Sequence, residues 1–372
     1  MNDLPFHRER PELLVATPIA LAALRGFGAV IDARSPAEFA EDHLPGAINA
    51  PVLDDAERAL VGAVYKEQSA FEAKRVGAPL AARNIARHLD ALFAAKPREW
   101  RPLVYCWRGG GRSAALTHVL RLVGWDAHRL EGGYKAFRRQ VVADLERLPA
   151  GFTFHVICGA TGSGKSRLLE ALAPAGAQAL DLEALAAHRG SVLGELPDAP
   201  QPSQKHFETA IWSALSAFDP TRPVFVESES KKVGNLRVPD ALIERMRLAR
   251  CFRLETEARL RVDLLMEDYA HFVANPAALA QKLDLLRALH GAERIALWKE
   301  HLGGGRWRAL VADLLESHYD PAYRRSLDRN YRDAASAAPI AVGDISQGGF
   351  GALAARLARE HGGKPSSHGS MG

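Results

Sequence analysis

Two stretches of the 372-residue chain place reactive side chains at chemically useful spacings. The first reads Val104-Tyr105-Cys106-Trp107-Arg108-Gly109-Gly110-Gly111-Arg112-Ser113 and runs into a helix-spaced apolar segment from Ala114. A cysteine closing a strand is ordinarily a small, buried, apolar residue. Three glycines and two arginines change that expectation here. Glycines let the backbone curl and aim successive N–H groups at one point. Those amides, the helix N-terminus, Arg108 and Arg112 favour a thiolate at Cys106 and stabilise a terminal persulfide or selenosulfide anion on it. Trp107, Gly109, Gly110 and Gly111 complete the predicted binding loop around the catalytic sulfur. The reading requires a sulfur that ligand can reach, because a nucleophile sealed in apolar packing transfers nothing.

The second stretch is Gly159-Ala160-Thr161-Gly162-Ser163-Gly164-Lys165-Ser166, which fits G-x-x-x-x-G-K-[ST]. It follows an apolar strand and opens a helical pattern from Arg167 to Ala173, the context the motif demands. Its amides wrap a phosphate, Lys165 neutralises the outer oxygens, and Ser166 is placed to reach a magnesium ion. Val224-Phe225-Val226-Glu227-Ser228-Glu229-Ser230 adds carboxylates after an apolar run. Glu227 takes the place of the second acidic strand end in such sites, with Asp181 able to share the role and Glu229 close behind. The sequence fixes no metal ligand set and implies no permanent cofactor. Cys158 and Cys251 lie inside strands and read as packing.

Between Lys231 and Arg261 nine basic residues face four acidic ones. Such an excess suits a polyanion groove and equally a solvated helix face. Lys231, Lys232 and Arg237 lead this stretch. Tyr319 and Tyr323 stand beside arginines and could stack on an exposed base or close a helix end.

The elements that position these residues alternate. Ala29–Asp32 and Leu103–Tyr105 read as strands, Ala81–Ala95 and Tyr134–Leu148 as helices. After the turn-prone Pro149-Ala150-Gly151, strands are expected at 152–158, 177–181, 224–227, 249–254 and 339–342, with helical patterns between them, including 257–272 and 292–301. This is an α/β protein of two domains, 1–148 and 152–361, each built on a mainly parallel sheet, with a loose tail at 362–372. A hydrophobic content of 47% and a charged content of 25% let each half bury a core. Three unpaired cysteines exclude a disulfide framework. The N-terminus shows no secretory pattern, and Leu13–Leu24 is too short to span a bilayer, so a cytoplasmic protein with no membrane partner is expected. The net charge of +4 decides little.

The Cys106 loop, with Val30-Ile31-Asp32-Ala33-Arg34-Ser35-Pro36-Ala37-Glu38-Phe39, His43-Leu44-Pro45-Gly46-Ala47-Ile48-Asn49 and Glu131-Gly132-Gly133-Tyr134, resembles a rhodanese domain over about residues 15–140. Asp32, Arg34 and Glu38 read as scaffold, the Arg–Glu spacing of four suggesting a local pair, and His43 as ordering a turn. A rhodanese-like domain followed by a P-loop domain of the doubly wound, NTPase-like kind resembles the tRNA 2-selenouridine synthase family across nearly the whole chain. Further residues carry that likeness: Asp181-Leu182-Glu183, His188-Arg189-Gly190-Ser191, Glu227-Ser228-Glu229-Ser230 and His318-Tyr319-Asp320-Pro321. Gly111 departs from the pattern, where a bulkier residue such as Met is usual, and the change spares the cysteine and both arginines.

The resemblance implies conversion of wobble 2-thiouridine in tRNA to 2-selenouridine with selenophosphate as donor, through an S-geranyl intermediate made from geranyl diphosphate. It implies that Cys106 accepts selenium and adds Arg189 to the candidate tRNA contacts. Which ligand the P-loop holds stays open at this stage. Two other readings compete: a thiosulfate-type sulfurtransferase fused to a nucleotide-dependent kinase, and a regulatory P-loop module whose rhodanese-like half senses redox state.

Overall fold

The computed structural model describes residues 14–15, 19–331 and 333–363. They fall into two units: residues up to Asp144 together with Ser203–Ala217, and Leu145–Pro202 together with the chain from Phe218 onward. The sequence predicts one cut at 149–151. The structure differs by assigning the helix Gln204–Ala217 to the first unit. The reason lies in its side chains. Thr209 Oγ1 donates to Asp42 Oδ2 at 3.0 Å, Trp212 Nε1 donates to Asp144 at 3.0 Å, and the Trp212 ring meets Phe137 edge-on at 5.3 Å. The predicted tail lies outside the described residues from 364 on.

The first unit is a five-stranded parallel sheet. Its strands are β1 (Leu14–Val15), β2 (Ala29–Asp32), β3 (Ala47–Asn49), β4 (Pro102–Tyr105) and β5 (His128–Leu130), in the order β1-β5-β4-β2-β3. β4 is buried at all four positions, as a central parallel strand covered on both faces must be. Its core joins Ile31, Val104, Leu116 and Trp125.

The second unit holds another five-stranded parallel sheet. β6 (Phe154–Cys158), β7 (Gln178–Leu180), β8 (Val224–Glu227), β11 (Arg250–Thr256) and β12 (Pro339–Val342) run in the order β12-β11-β6-β8-β7. A short antiparallel pair, β9 (Lys232–Val233) and β10 (Leu236–Arg237), stands apart. One core cluster packs the helices Lys165–Leu172 and Gln347–His361 on the sheet. A second, around Trp298, Leu310 and Phe272, belongs to the helical part beyond β11. The predicted helix 257–272 is broken at Tyr269 into Ala258–Asp268 and Ala270–Ala274. Among the described residues no helix is long and apolar enough to cross a membrane.

Both chemical loops leave the carboxyl ends of central strands, β4 and β6. Parallel α/β sheets place their ligands there, because the following helix N-termini converge on that edge.

Candidate functional site

Cys106 follows β4, and the helix Gly111–Val123 begins five residues later. Its sulfur lies 3.2 Å from Ser113 Oγ, and the Gly110 carbonyl accepts from it at 3.8 Å. Ser113 Oγ also donates to that carbonyl at 3.1 Å. The predicted ring of loop amides is therefore replaced by one hydroxyl in the first helical turn, a residue that sequence reasoning left out of the site. The turn closes because Gly133 takes φ +56° against it, where a Cβ would overlap the Cys106 carbonyl oxygen. The carbonyls of Cys106 and Trp107 accept the amides of Tyr134 and Lys135, both at 2.9 Å.

Two expectations about this loop need correction. The thiol is only 3% exposed and packs within the apolar core of its unit. Next to it in the loop, Gly110 and Gly111 are exposed, and a Cβ on either would meet nothing within 4 Å. Arg112 is not free to face the sulfur, since its guanidinium forms a salt bridge with Glu38 and lowers the pKa of that carboxyl against the opposing effect of burial. Arg34, read as the partner of Glu38, instead grips Asp32 through Nη2 at 2.6 Å. That pair is essentially fully buried. Arg108 is exposed and Trp107 half-buried, with its ring 5.4 Å from that of Tyr134. His43 Nδ1 donates to the Phe39 carbonyl at 2.9 Å and the ring stacks on that of Phe39, a local ordering role.

The P-loop runs from the end of β6 into the helix Lys165–Leu172. Gly164 adopts φ +90°, and a Cβ there would overlap the Phe350 ring, so glycine is enforced sterically at this position of the motif. Lys165 Nζ donates to the Gly159 carbonyl at 2.7 Å and sits 5.4 Å from the centre of the Tyr323 ring. Ser166 Oγ donates to Glu183 Oε2 at 2.9 Å, and the Glu183 amide donates to Glu227 Oε1 at 2.8 Å.

These groups border a cavity of about 650 Å³ walled by residues Thr161 to Arg167, by Asp181, Glu183 and Glu229, and by residues 188–191. Four carboxyls gather here, Asp181, Glu183, Glu227 and Glu229, and burial is the first cause of the shifts of Asp181, Glu227 and Glu229. Glu227 is pushed well up by burial and then by its acidic neighbours. Glu229 is pushed up to about 8 by burial and the Glu183 charge, against the opposing pull of Lys165. Asp181, pushed up to about 6 by burial, spends one oxygen capping the Ala184 amide at 2.7 Å. Among the described residues no three His, Cys, Asp or Glu side chains are grouped so as to hold a metal ion, and Ser166 is engaged by Glu183. Glu183, which the sequence gives no site role, joins the site here; its signal is a carboxylate two positions past Asp181 in the first turn of a helix.

A second cavity adjoins the first. Its walls are aliphatic and aromatic, including Leu193, Phe272, Trp307, Leu310 and Leu314, and it shares Thr161, Leu265 and Tyr269 with the phosphate cavity. Sequence reasoning missed it, because its residues come from five separate helices and connecting segments.

The predicted RNA contacts scatter. Tyr319 faces the apolar cavity, and its hydroxyl pKa is raised by burial, so it is not an exposed stacking platform. The Tyr323 hydroxyl accepts the Gly159 amide at 2.6 Å, which ties it to the P-loop. Arg189 lines the phosphate cavity, donates to the Asp268 carbonyl at 2.5 Å and lies over the Tyr269 ring. Lys231, Lys232 and Arg237 are exposed at the β9–β10 pair, Lys231 3.3 Å from Asp240. Arg261, at the far end of the basic stretch, is buried against Asp320, so Lys231–Arg261 is not one continuous cationic face. Cys158 and Cys251 are free, buried thiols; their mutual hydrogen bond raises the first and lowers the second.

Comparison with known proteins agrees with this division. A family model described as "Rhodanese-like domain" matches residues 17–140, and one described as "tRNA 2-selenouridine synthase AAA domain" matches residues 152–284. Similar curated proteins carry the name tRNA 2-selenouridine synthase. The one from Sulfurovum sp. is 31% identical over 81% of this chain and 89% of its own length. That from Chromohalobacter salexigens is 33% identical over 82% and 90%. With the Nitrosomonas europaea protein the identity is 36% over 68% of this chain, and the match spans 66% of that protein.

Proposed function

The chain belongs to the tRNA 2-selenouridine synthase family, and from that premise we propose that it converts wobble 2-thiouridine of tRNA to 2-selenouridine by way of an S-prenyl intermediate. The observation that carries the reading is the pairing of cavities in the second unit: a P-loop pocket that shares Thr161, Leu265 and Tyr269 with an apolar one. A ligand with an anionic head and a hydrocarbon tail matches that pairing, and geranyl diphosphate is such a ligand. A nucleotide, as the kinase reading requires, would ask for polar partners around its base, which the aliphatic walls do not provide.

In the first step the thiocarbonyl sulfur of the base attacks the carbon that bears the diphosphate. The sulfur–carbon bond forms as the carbon–oxygen bond breaks, the electron pair leaves with diphosphate, and the ring N3 proton passes to solvent. Lys165 and the P-loop amides stabilise the charge that develops on the leaving oxygens. In the second step the selenium of selenophosphate adds to C2, the prenyl thiolate departs and takes the proton of the Cys106 thiol, and water cleaves the selenium–phosphorus bond, releasing phosphate and leaving 2-selenouridine. Alkylation matters because a bare thiocarbonyl sulfur is a poor leaving group. Ser113 positions the Cys106 sulfur.

The test is nucleoside mass spectrometry on a 2-thiouridine anticodon stem–loop incubated with purified protein, geranyl diphosphate and selenophosphate. Wild type should yield 2-selenouridine, Lys165→Ala neither product, and Cys106→Ala the S-geranyl nucleoside alone. Undiminished 2-selenouridine from Cys106→Ala would refute the role of the thiol, and absence of any prenylated nucleoside with wild type would refute the intermediate.

A further inference from the structure

The segment His318-Tyr319-Asp320-Pro321 brings Tyr319 to the apolar cavity and Asp320 to Arg261. Asp320 opens the helix Asp320–Asn330, and its two oxygens accept from Arg261 Nη1 at 3.0 Å and Nη2 at 2.5 Å. The third guanidinium nitrogen, Nε, donates to the Thr161 carbonyl at 2.9 Å. Arg261 belongs to the helix Ala258–Asp268 and is buried. All three nitrogens of its planar fork are therefore engaged, two by a carboxylate and one by the P-loop. A fork held at two points fixes direction as well as distance, which a point charge does not.

That grip turns one peptide of the P-loop. A trans peptide points its C=O and the following N–H to opposite sides. Arg261 and Asp320 are absent from the walls of the phosphate cavity and border a separate cavity with Gly159 and Arg324. Drawing the Thr161 carbonyl toward Arg261 therefore sends the Gly162 amide the other way, and Gly162 itself lines the phosphate cavity. Among the described residues no group accepts from that amide. Other amides of the loop are committed: Gly159 donates to Tyr323, and Ser163 to the Ala160 carbonyl at 3.0 Å.

We propose that Asp320 and Arg261 are positioning residues for anion binding: acting through the Thr161 carbonyl, the pair holds the Gly162 amide toward the diphosphate. Neither side chain touches the ligand. The inference rests on the reading above that the P-loop holds a diphosphate, and adds two residues outside the motif that aim one of its donors.

The experiment titrates wild type, Asp320→Asn and Arg261→Lys with inorganic diphosphate, by calorimetry and by nuclear magnetic resonance of protein labelled with nitrogen-15 at glycine. Arg261→Lys keeps the charge and loses the fork; Asp320→Asn keeps the shape and loses the charge. Each should weaken diphosphate binding about tenfold, the scale of one hydrogen bond to a charged group. In wild type diphosphate should shift the Gly162 and Gly164 amide signals; in the variants the Gly162 shift should vanish and the Gly164 shift remain. Added guanidinium should restore affinity to Arg261→Ala and not to the double variant Arg261→Ala/Asp320→Ala, which offers the cation nothing to hold it. Unchanged affinity in both single variants overturns the assignment. So does a loss in which the Gly162 and Gly164 shifts disappear together, because the pair then merely stabilises the fold. If wild type itself binds no diphosphate, the P-loop reading fails and takes this inference with it.

Discussion

The hydroxyl of Tyr323 accepts the backbone amide of Gly159 at 2.6 Å, across 164 positions of sequence. The first residue of the P-loop is thus held by a helix that the motif itself does not contain, and the same ring stands 5.4 Å from the Lys165 ammonium. Tyr323→Phe keeps the ring beside Lys165 and removes the acceptor, together with the hydroxyl's 3.2 Å contact to Ser228 Oγ. The stranded amide should lower stability by about 1–3 kcal/mol. Diphosphate affinity should fall with it, since the loop loses an anchor. Urea denaturation and calorimetry check both. An unaltered affinity would mean that the loop holds its shape without the tyrosine.

The carboxyl cluster around the P-loop should make the protein less stable as pH rises. Glu229 titrates near 4.5 when unfolded and is pushed up to about 8 in the folded protein, by burial first. Between those values the folded state keeps a proton that the unfolded state has released, so stability falls as pH climbs through that window. The contribution is fully present below pH 4.5 and lost above 8. Glu229→Gln removes the titration. It should flatten part of the slope and stabilise the protein at pH 9 by an amount on the order of a few kcal/mol. Glu227 and Asp181, raised for the same reason, keep the rest of the slope. Denaturation midpoints at pH 5 and pH 9 for the two proteins decide the matter; parallel trends would exclude Glu229 as a source.

In the first unit the Asp32–Arg34 pair is buried on both sides, with Arg34 Nη2 also donating to the Asp42 carbonyl at 2.6 Å. Removing one partner of such a pair strands the other charge. Arg34→Ala should therefore cost about 3–5 kcal/mol, far more than loss of an exposed bridge. Arg75→Ala, which breaks the exposed Glu72–Arg75 pair, is the control and should cost less than about 1 kcal/mol. Similar denaturation midpoints for the two variants would contradict this ordering.

What the sequence revealed, it revealed through local rules. β2, β8 and β12 match the expected strands residue for residue, because each is a short apolar run punctuated by turn residues. The Cys106 loop and the P-loop were legible because glycine, lysine and cysteine at fixed spacings have few other uses. The apolar cavity was invisible for the opposite reason: Thr161, Leu193, Leu265, Trp307 and Tyr319 meet only after helices fold together, and leucines in helices signal core rather than ligand. The same limit misassigned Arg112 and Arg34. A spacing of four suggested a pair between Arg34 and Glu38, whereas tertiary structure gives Glu38 to Arg112, 74 positions away. Burial of Cys106 likewise depends on the packing of Leu116, Trp125 and Val104 around it, which no local motif reports.

The helix Gln204–Ala217 gives the last prediction, because the first unit should not fold without it. Phe207, Ile211, Trp212 and Leu215 are all buried, each at 1% exposure or less. Fully burying a large apolar side chain contributes about 1.5–3 kcal/mol, so deleting four such residues removes as much as a small domain's whole net stability. The polar losses act in the same direction. Asp42 is completely buried and would keep Tyr134 but lose Thr209, and Arg138 would lose Glu208. A fragment ending at residue 148 should therefore show a non-cooperative thermal transition by circular dichroism. A fusion that appends residues 203–217 through a flexible linker should restore a sharp one. Trp212→Ala in that fusion should abolish the gain. A 1–148 fragment that melts cooperatively at the temperature of the fusion would show that the helix decorates the unit without completing it.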